Sequence, residues 1–490
     1  MVQVRTDGGI VAGVEDHNAI RFRGIPFAAP PFGANRFTAP RPAEKWDGVR
    51  DASEFGVGVP QARFPGDPFD AYFNPLRQGV DCLTLDVWTP DVTTAGLPVM
   101  VWIHGGGFMT GTGSAPAHDG YTFAREGIVH VGINYRLGID GFTHFADGTD
   151  NLGLRDQVAA LEWVQRNIAA FGGDPSRVTV FGQSGGAIGV LDLLAVPAAR
   201  GLFAQAIVMS GSPIASVDSD AALRLTNRLA ERLGVAPTRE AFAAVPLERT
   251  IAEILPMTME FIDPSKWGAE SLTVSPWRAV HGTELLPDPS LDAADWSDVP
   301  IMIGTLRNET TGFLGSMGVL DDLPEQLGQH MLQLMGVDDR IRSAYQDGPR
   351  QLADTRALVE AAWTDWAFRI PSLQLAVARR APTHVYEFRW ESPMFPPGLG
   401  ANHALEVPFM RDDLAALRAI GPVGEALIGP DAPEDLGKRM HRTFADYATN
   451  GDPGWDAYTP EARTTMVFDT VDAVHNDPAA PERQAWEAQP

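Results

Sequence analysis

Six short apolar runs, each closed by turn-forming residues, constrain this chain more than any other feature. They lie at 97–103, 128–134, 177–181, 204–209, 299–303 and 384–390. A strand covered on one face alternates apolar and polar residues. A run that is apolar almost throughout must be covered on both faces, as strands of a parallel sheet are. Helical patterns fall between several of the runs. The clearest spans 154–170, where Leu154, Val158, Leu161, Val164 and Ile168 recur at spacings of three and four, and Gly172, Gly173 and Pro175 stop it. The alternation predicts an α/β fold with a large, mostly parallel central sheet and helices on both faces.

The stretch 320–380 reads mainly as helix. Within it 351–368 lacks Gly and Pro and sets Leu352, Leu358, Val359, Trp363 and Trp366 on or near one side. It interrupts the strand series, so a helical insertion over one edge of the sheet is expected at about 315–383. No fixed-period repeat, low-complexity tract or Gly/Ser linker divides the chain, and the prolines are scattered, with mild clusters at Pro30-Pro31 and Pro393 to Pro397. One domain over 1–490 is expected, although length alone suggests about three.

The chain carries 63 acidic against 38 basic residues, a formal net charge of −25, and one cysteine. With 44% hydrophobic residues it is not a disordered composition. The negative charge repels phosphate backbones and anionic lipid, so neither nucleic acid nor a membrane is an expected partner. Cys82 alone can form neither an internal disulfide nor a thiolate zinc cluster. The opening residues show no basic-then-apolar leader, and the best apolar stretch, 185–210, is broken by Asp192, Pro197 and Arg200. The cytoplasm is the expected compartment.

The run at 177–181 leads straight into Gly182-Gln183-Ser184-Gly185-Gly186 and then a helix-like segment to Ala195. G-x-S-x-G alone is a weak pattern. Between a strand and a helix it describes a sharp turn that projects a serine hydroxyl from the sheet, with small residues where the backbone is crowded. The following helix aims its N–H groups and positive dipole end at the same place. The run at 97–103 ends in His104-Gly105-Gly106-Gly107-Phe108. Glycines there let a substrate approach main-chain N–H groups, which suits an oxyanion hole made by Gly106, Gly107 and Gly185. No phosphate-loop Gly-Lys-Ser/Thr follows.

A nucleophilic serine on this turn needs an acid and a histidine, in that chain order and on loops that follow strands. Glu309 is the first carboxylate after the run at 299–303; Asp288, Asp292, Asp295 and Asp298 precede it and would lie at the wrong end. Of the later histidines, His330 and His441 fall in helix-like stretches, His384 opens a strand and His475 lies near the tail. His403 follows a strand through a long Pro/Gly-rich loop. The triad is therefore Ser184, Glu309 and His403.

With these residues in place the chain resembles the type-B carboxylesterases of the carboxylesterase/cholinesterase family, within the α/β-hydrolase superfamily, and among them the bacterial para-nitrobenzyl-esterase-like members. FRGIPFAAPPFGANRF, DCLTLDVWTP, VWIHGGGF, NYRLG, DNLGLRDQVAALEWVQRNIAAFGGDPSRVTVFGQSGG, MSGSP, NHALEVPF and FADYATNGDP occur in the family's order over nearly the whole length. The resemblance implies an α/β-hydrolase fold, hydrolysis of carboxylic esters through an acyl-enzyme, and no metal or cofactor. It also implies supporting roles for Ser210, beside the acid, and Glu406, near the floor of the site. Three departures stand out. Gln183 occupies a position where the family often has Glu, which removes a charge that would favour a cationic substrate. Gly185 stands where Ala is common. Cys82 lacks the disulfide partner of animal relatives.

The expected substrate is a small, uncharged ester, with Phe108, Met109, Trp267, Phe313 and Met317 as candidate pocket residues. The same machinery would serve an acyltransferase or a carbamate or amide hydrolase. A non-catalytic binding protein on this scaffold is the alternative from another class, and the complete triad argues against it.

Overall fold

Along strand Leu97–Ile103 the side chains of Val99, Val101 and Ile103 enter one buried apolar cluster, and Met100 and Trp102 enter another. The next strand repeats the division, with Val178 and Val180 on one side and Phe181 on the other. Two-sided burial is the reason these runs are apolar almost throughout. The computed structural model describes residues 1–64, 69–273, 275–293, 297–352, 354–394 and 398–488. Asp295, Pro396 and Pro397 lie outside them.

The strands are β1 (Val2–Arg5), β2 (Ile10–Asp16), β3 (Ala19–Pro26), β4 (Val49–Asp51), β5 (Thr84–Thr89), β6 (Leu97–Ile103), β7 (Val129–Ile133), β8 (Gly173–Gln183), β9 (Gln205–Met209), β10 (Ile301–Leu306), β11 (Thr383–Phe388), β12 (Thr464–Phe468) and β13 (Ala473–Asn476). They form a 13-stranded sheet in the order β1-β2-β3-β5-β7-β6-β8-β9-β10-β11-β12-β13, with β4 beside β2. From β7 to β12 every neighbouring pair is parallel. All six predicted runs are strands of this parallel part. Only the run at 97–103 keeps both its ends; β8 is longer, from Gly173 to Gln183, β10 is shifted to Ile301–Leu306, and β11 ends at Phe388, two residues short of Trp390. The antiparallel strands β1 to β3, β5 and β13 extend the sheet at its margins.

The predicted amphipathic helix runs Leu152–Asn167 and tightens into a 3₁₀ turn, Ile168–Phe171. Gly172 then closes it at φ +90°, and a Cβ there would lie 2.6 Å from the Thr94 carbonyl oxygen. This helix is anchored to the segment after β7 by a fully buried pair. Arg136 Nε and Nη2 each lie 2.7 Å from an Asp156 carboxylate oxygen, and the Arg136 N–H donates to the same group at 3.0 Å. Removing one partner of such a pair costs about 3–5 kcal/mol, because the other charge stays buried alone.

Between β10 and β11 lie the helices Thr311–Ser316, Glu325–Leu334, Asp339–Gln346, Thr355–Thr364 and Ile370–Ala378, with a π-helical turn at Asp365–Arg369. They enclose their own apolar cluster around Met331, Ile341, Leu358, Trp363 and Phe368. The helix expected from Gln351 starts at Thr355, where the Asp354 carboxylate caps the Ala357 N–H at 2.8 Å. Asp competes for backbone N–H groups in this way and so starts helices rather than continuing them.

Parallel registry fixes where the site can form. Ile103 pairs with Gly182, Gln183 with Met209, Met209 with Gly304, and Leu306 with Phe388. The segments that leave β6, β8, β9, β10 and β11 therefore emerge side by side at the carboxyl edge, where open α/β sheets bind ligands.

Candidate active site

At the end of β8 the chain turns on Ser184, which has φ 55° and ψ −125°, and enters the helix Gly185–Ala195. The glycines around it are sterically required. A Cβ on Gly182 would lie 2.6 Å from the Gly186 carbonyl carbon, and one on Gly186 would lie 2.0 Å from the Ile103 carbonyl oxygen. The Ser184 N–H donates to Met209 O at 3.0 Å, which ties the turn to β9. Non-glycine residues with positive φ recur here, at Phe108, Ser184, Ser210 and Ala404. Such conformations cost of order 1–3 kcal/mol each and gather where geometry matters more than local stability.

The glycine loop after β6 is held from both sides. Tyr135 Oη donates to His104 O at 2.7 Å, and Ser275 Oγ donates to Gly107 O at 2.5 Å. Neither Gly106 nor Gly107 donates its N–H to another described residue. A Cβ on Gly185 would lie 3.1 Å from Gly107 N and 3.0 Å from Phe108 N, so the alanine common elsewhere would crowd these amides.

His403 Nδ1 lies 2.6 Å from Glu309 Oε2, and the other Glu309 oxygen accepts the Leu306 N–H at 2.8 Å. A carboxylate only accepts, so Nδ1 carries the proton and Nε2 presents a lone pair. Glu309 is wholly buried. Asn308 binds the acid loop to the histidine loop: its N–H donates to Ala401 O at 3.0 Å, and its Oδ1 accepts the Ala401 N–H at 3.2 Å. Phe313 and Phe368 flank the imidazole, with ring centroids 5.1 and 5.4 Å away. The helical block thus braces the histidine.

His403 Nε2 faces the Gln183 side-chain amide nitrogen at 3.2 Å. Ser184, 8% exposed, lines the same cavity as His403, Gln183 and Gly105 to Gly107. Ser210 lies close by and donates to Glu406 Oε1 at 3.5 Å rather than to Glu309. Burial and the nearby Glu309 charge push the Glu406 carboxyl well above the usual carboxylate range.

The cavity holds about 340 Å³. Met109, Phe313 and Met317 line it as expected, and Phe108 lines a narrow second lobe that shares Ser184 and Gly107. Trp267 lines neither. It sits on the short helix Pro264–Trp267 and packs against Phe261, with centroids 5.3 Å apart. Met259, Ile262, Trp363, Val407, Asn74 and His118 also line the large lobe. No local pattern in the sequence marked them. Cys82 is buried, and that burial raises its thiol.

Residues 1–486 match the carboxylesterase family model. The chain is 35% identical to the para-nitrobenzyl esterase of Bacillus subtilis (strain 168), over 98% of this chain and 97% of that protein. It is also 35% identical to the phenmedipham hydrolase of Pseudarthrobacter oxydans, over 92% and 90%. A crystal structure of the Geobacillus stearothermophilus carboxylesterase superposes with a TM-score of 0.85 at 32% identity, covering 99% of this chain and 100% of that one. With this fold and these relatives, the chain belongs to the carboxylesterase family and is a serine carboxylesterase of the α/β-hydrolase fold.

Proposed function

We propose that this chain cleaves small, uncharged carboxylic esters through an acyl-enzyme on Ser184, with His403 as base and Glu309 as its partner. Substrate entry exchanges the Gln183 contact at His403 Nε2 for the Ser184 hydroxyl. His403 takes the Ser184 proton as Oγ bonds to the acyl carbon. The N–H groups of Gly106, Gly107 and Gly185 receive the developing oxyanion. His403 then gives its proton to the departing alcohol oxygen and activates the water that releases the acid. Ser210 and Glu406 support the floor of the site.

The single observation that carries this reading is the 2.6 Å Glu309–His403 contact, which turns the His403 Nε2 lone pair, met by the Gln183 amide at 3.2 Å, to the cavity that Ser184 lines. For substrate charge, the support is the lining itself: the described residues around the large lobe include no Asp, Glu, Lys or Arg. No helix among the described residues is long and apolar enough to cross a membrane. The unpaired Cys82 fits action in the cytoplasm. Ser184→Ala should retain less than about a thousandth of wild-type p-nitrophenyl ester hydrolysis and lose labelling by a fluorophosphonate probe. Retention of either would remove Ser184 from the mechanism.

A further inference from the structure

The short helix Asp70–Phe73 packs against the turn Pro116–His118, at the wall of the large lobe. Two polar side chains there are unsatisfied. His118 is 5% exposed, and its Nδ1 is fixed on the Thr112 carbonyl at 2.7 Å, so Nδ1 carries the proton. Its Nε2 lone pair has no partner among the described residues. Burial, with the Arg411 charge behind it, holds the ring far below the usual imidazole range, hence neutral and an acceptor. Asn74 is 7% exposed. Its Nδ2 donates to Asp70 Oδ1 at 3.1 Å, which leaves Oδ1 unpartnered but buried out of reach of the lobe, so the accessible acceptor of this wall is His118 Nε2. Both residues line the lobe, in a wall otherwise built from side chains such as Phe73, Met259, Ile262 and Trp363. A ligand that covers this wall shuts water away from His118 Nε2, which costs binding unless the ligand supplies a donor of its own.

Which half of an ester reaches this wall follows from His403. The leaving oxygen must meet Nε2 to be protonated, and His403 lines the large lobe but not the narrow one. The alcohol half therefore fills the large lobe, and the narrow lobe limits the acyl half to a short chain.

We propose that His118 Nε2 is an acceptor subsite that selects short-chain esters whose alcohol half carries a hydroxyl or N–H donor. The subsite rests on the esterase reading above.

The test compares phenyl acetates carrying a hydroxymethyl group, meta or para, with the matching ethyl compounds, which are alike in size but lack the donor. For wild type, kcat/KM for the better hydroxymethyl isomer should exceed that of its ethyl partner by about ten-fold or more. His118→Phe keeps a ring and removes the acceptor, so it should bring the ratio close to one while leaving ethyl hydrolysis within a few-fold. His118→Leu, which removes the acceptor without a ring, should lower the ratio as well and decides the matter if His118→Phe does not fold. A wild-type ratio of one or below, or a ratio unchanged in the folded variants, overturns the subsite and leaves the esterase reading intact. Hydrolysis of neither ester overturns both.

Discussion

Replacing Glu309 with Gln changes one atom and reverses the direction of one hydrogen bond. Glu309 Oε1 is committed to the Leu306 N–H at 2.8 Å, and Oε2 receives His403 Nδ1–H at 2.6 Å. In Glu309→Gln the Leu306 N–H keeps its acceptor only if the amide oxygen stays in the Oε1 position. The NH2 group then faces His403 Nδ1 and can only donate, which forces the imidazole proton onto Nε2, where a Ser184 proton can no longer be accepted. The variant also loses the charge opposite the imidazolium that forms during attack. A unit pair at 2.6 Å and an effective dielectric near 20 is worth about 6 kcal/mol as an upper figure. Together these predict a fall in kcat of about ten-thousand-fold, similar to what the amide replacement does in serine-protease triads. Because the side chain keeps its shape and the Leu306 bond, the thermal midpoint should move by only a few degrees. Initial rates on p-nitrophenyl acetate at mildly alkaline pH, with enzyme concentration taken from absorbance, measure the loss. A folded variant that loses less than about ten-fold would refute the tautomer argument and with it the place of Glu309 in the triad.

Two other perturbations test the surroundings. Gln183→Glu places a carboxylate 3.2 Å from His403 Nε2, where it stabilises the protonated ring, so the acid limb of the kcat/KM profile should move up by about 1–2 pH units; an unmoved limb would show that residue 183 does not contact the histidine in solution. Asp192, on the helix after Ser184, is buried with only Ser290 on one oxygen, and burial pushes its carboxyl up to about 7. A carboxyl raised in the folded state stabilises fully below its unfolded value near 3.8 and loses that contribution as pH rises through about 7. Asp192→Asn should therefore match wild type in urea near pH 4 and exceed it at about pH 8.5, by at most about 4 kcal/mol; parallel pH curves for the two proteins would contradict the buried acid.

The fold was legible where burial is two-sided and chain order is local. Runs such as 97–103 and 177–181 are apolar because both faces are covered, and the sequence displays that directly. The marginal strands were not anticipated. β1 has a burial pattern of one buried residue in four, and β4 pairs with β2 across a long loop, so their pairing depends on partners that no short window contains. The helix start at Thr355 was missed for a smaller reason. Absence of Gly and Pro permits a helix, but the Asp354 side chain had already committed to capping one.

The candidate site divides along the same line. Glycines at 182 and 186 were readable because backbone crowding admits nothing larger, and Glu309 and His403 were readable because each follows its strand in a fixed order. Side chains that act by being left unpartnered have no such signature. His104, His118 and His130 are all buried, and no local sequence pattern tells their spare ring nitrogens apart. In two of them the spare nitrogen is sealed from any ligand: His104 Nδ1 bonds its neighbour Gly105 O with Nε2 buried, and His130 is packed beside Arg411 and Phe181 with Nδ1 buried. His118 differs because the turn Pro116–His118 packs against Asp70–Phe73 and brings its free nitrogen to the cavity wall. That packing joins segments far apart in the chain, so a property that decides specificity arises from tertiary contact alone and leaves no trace in local pattern.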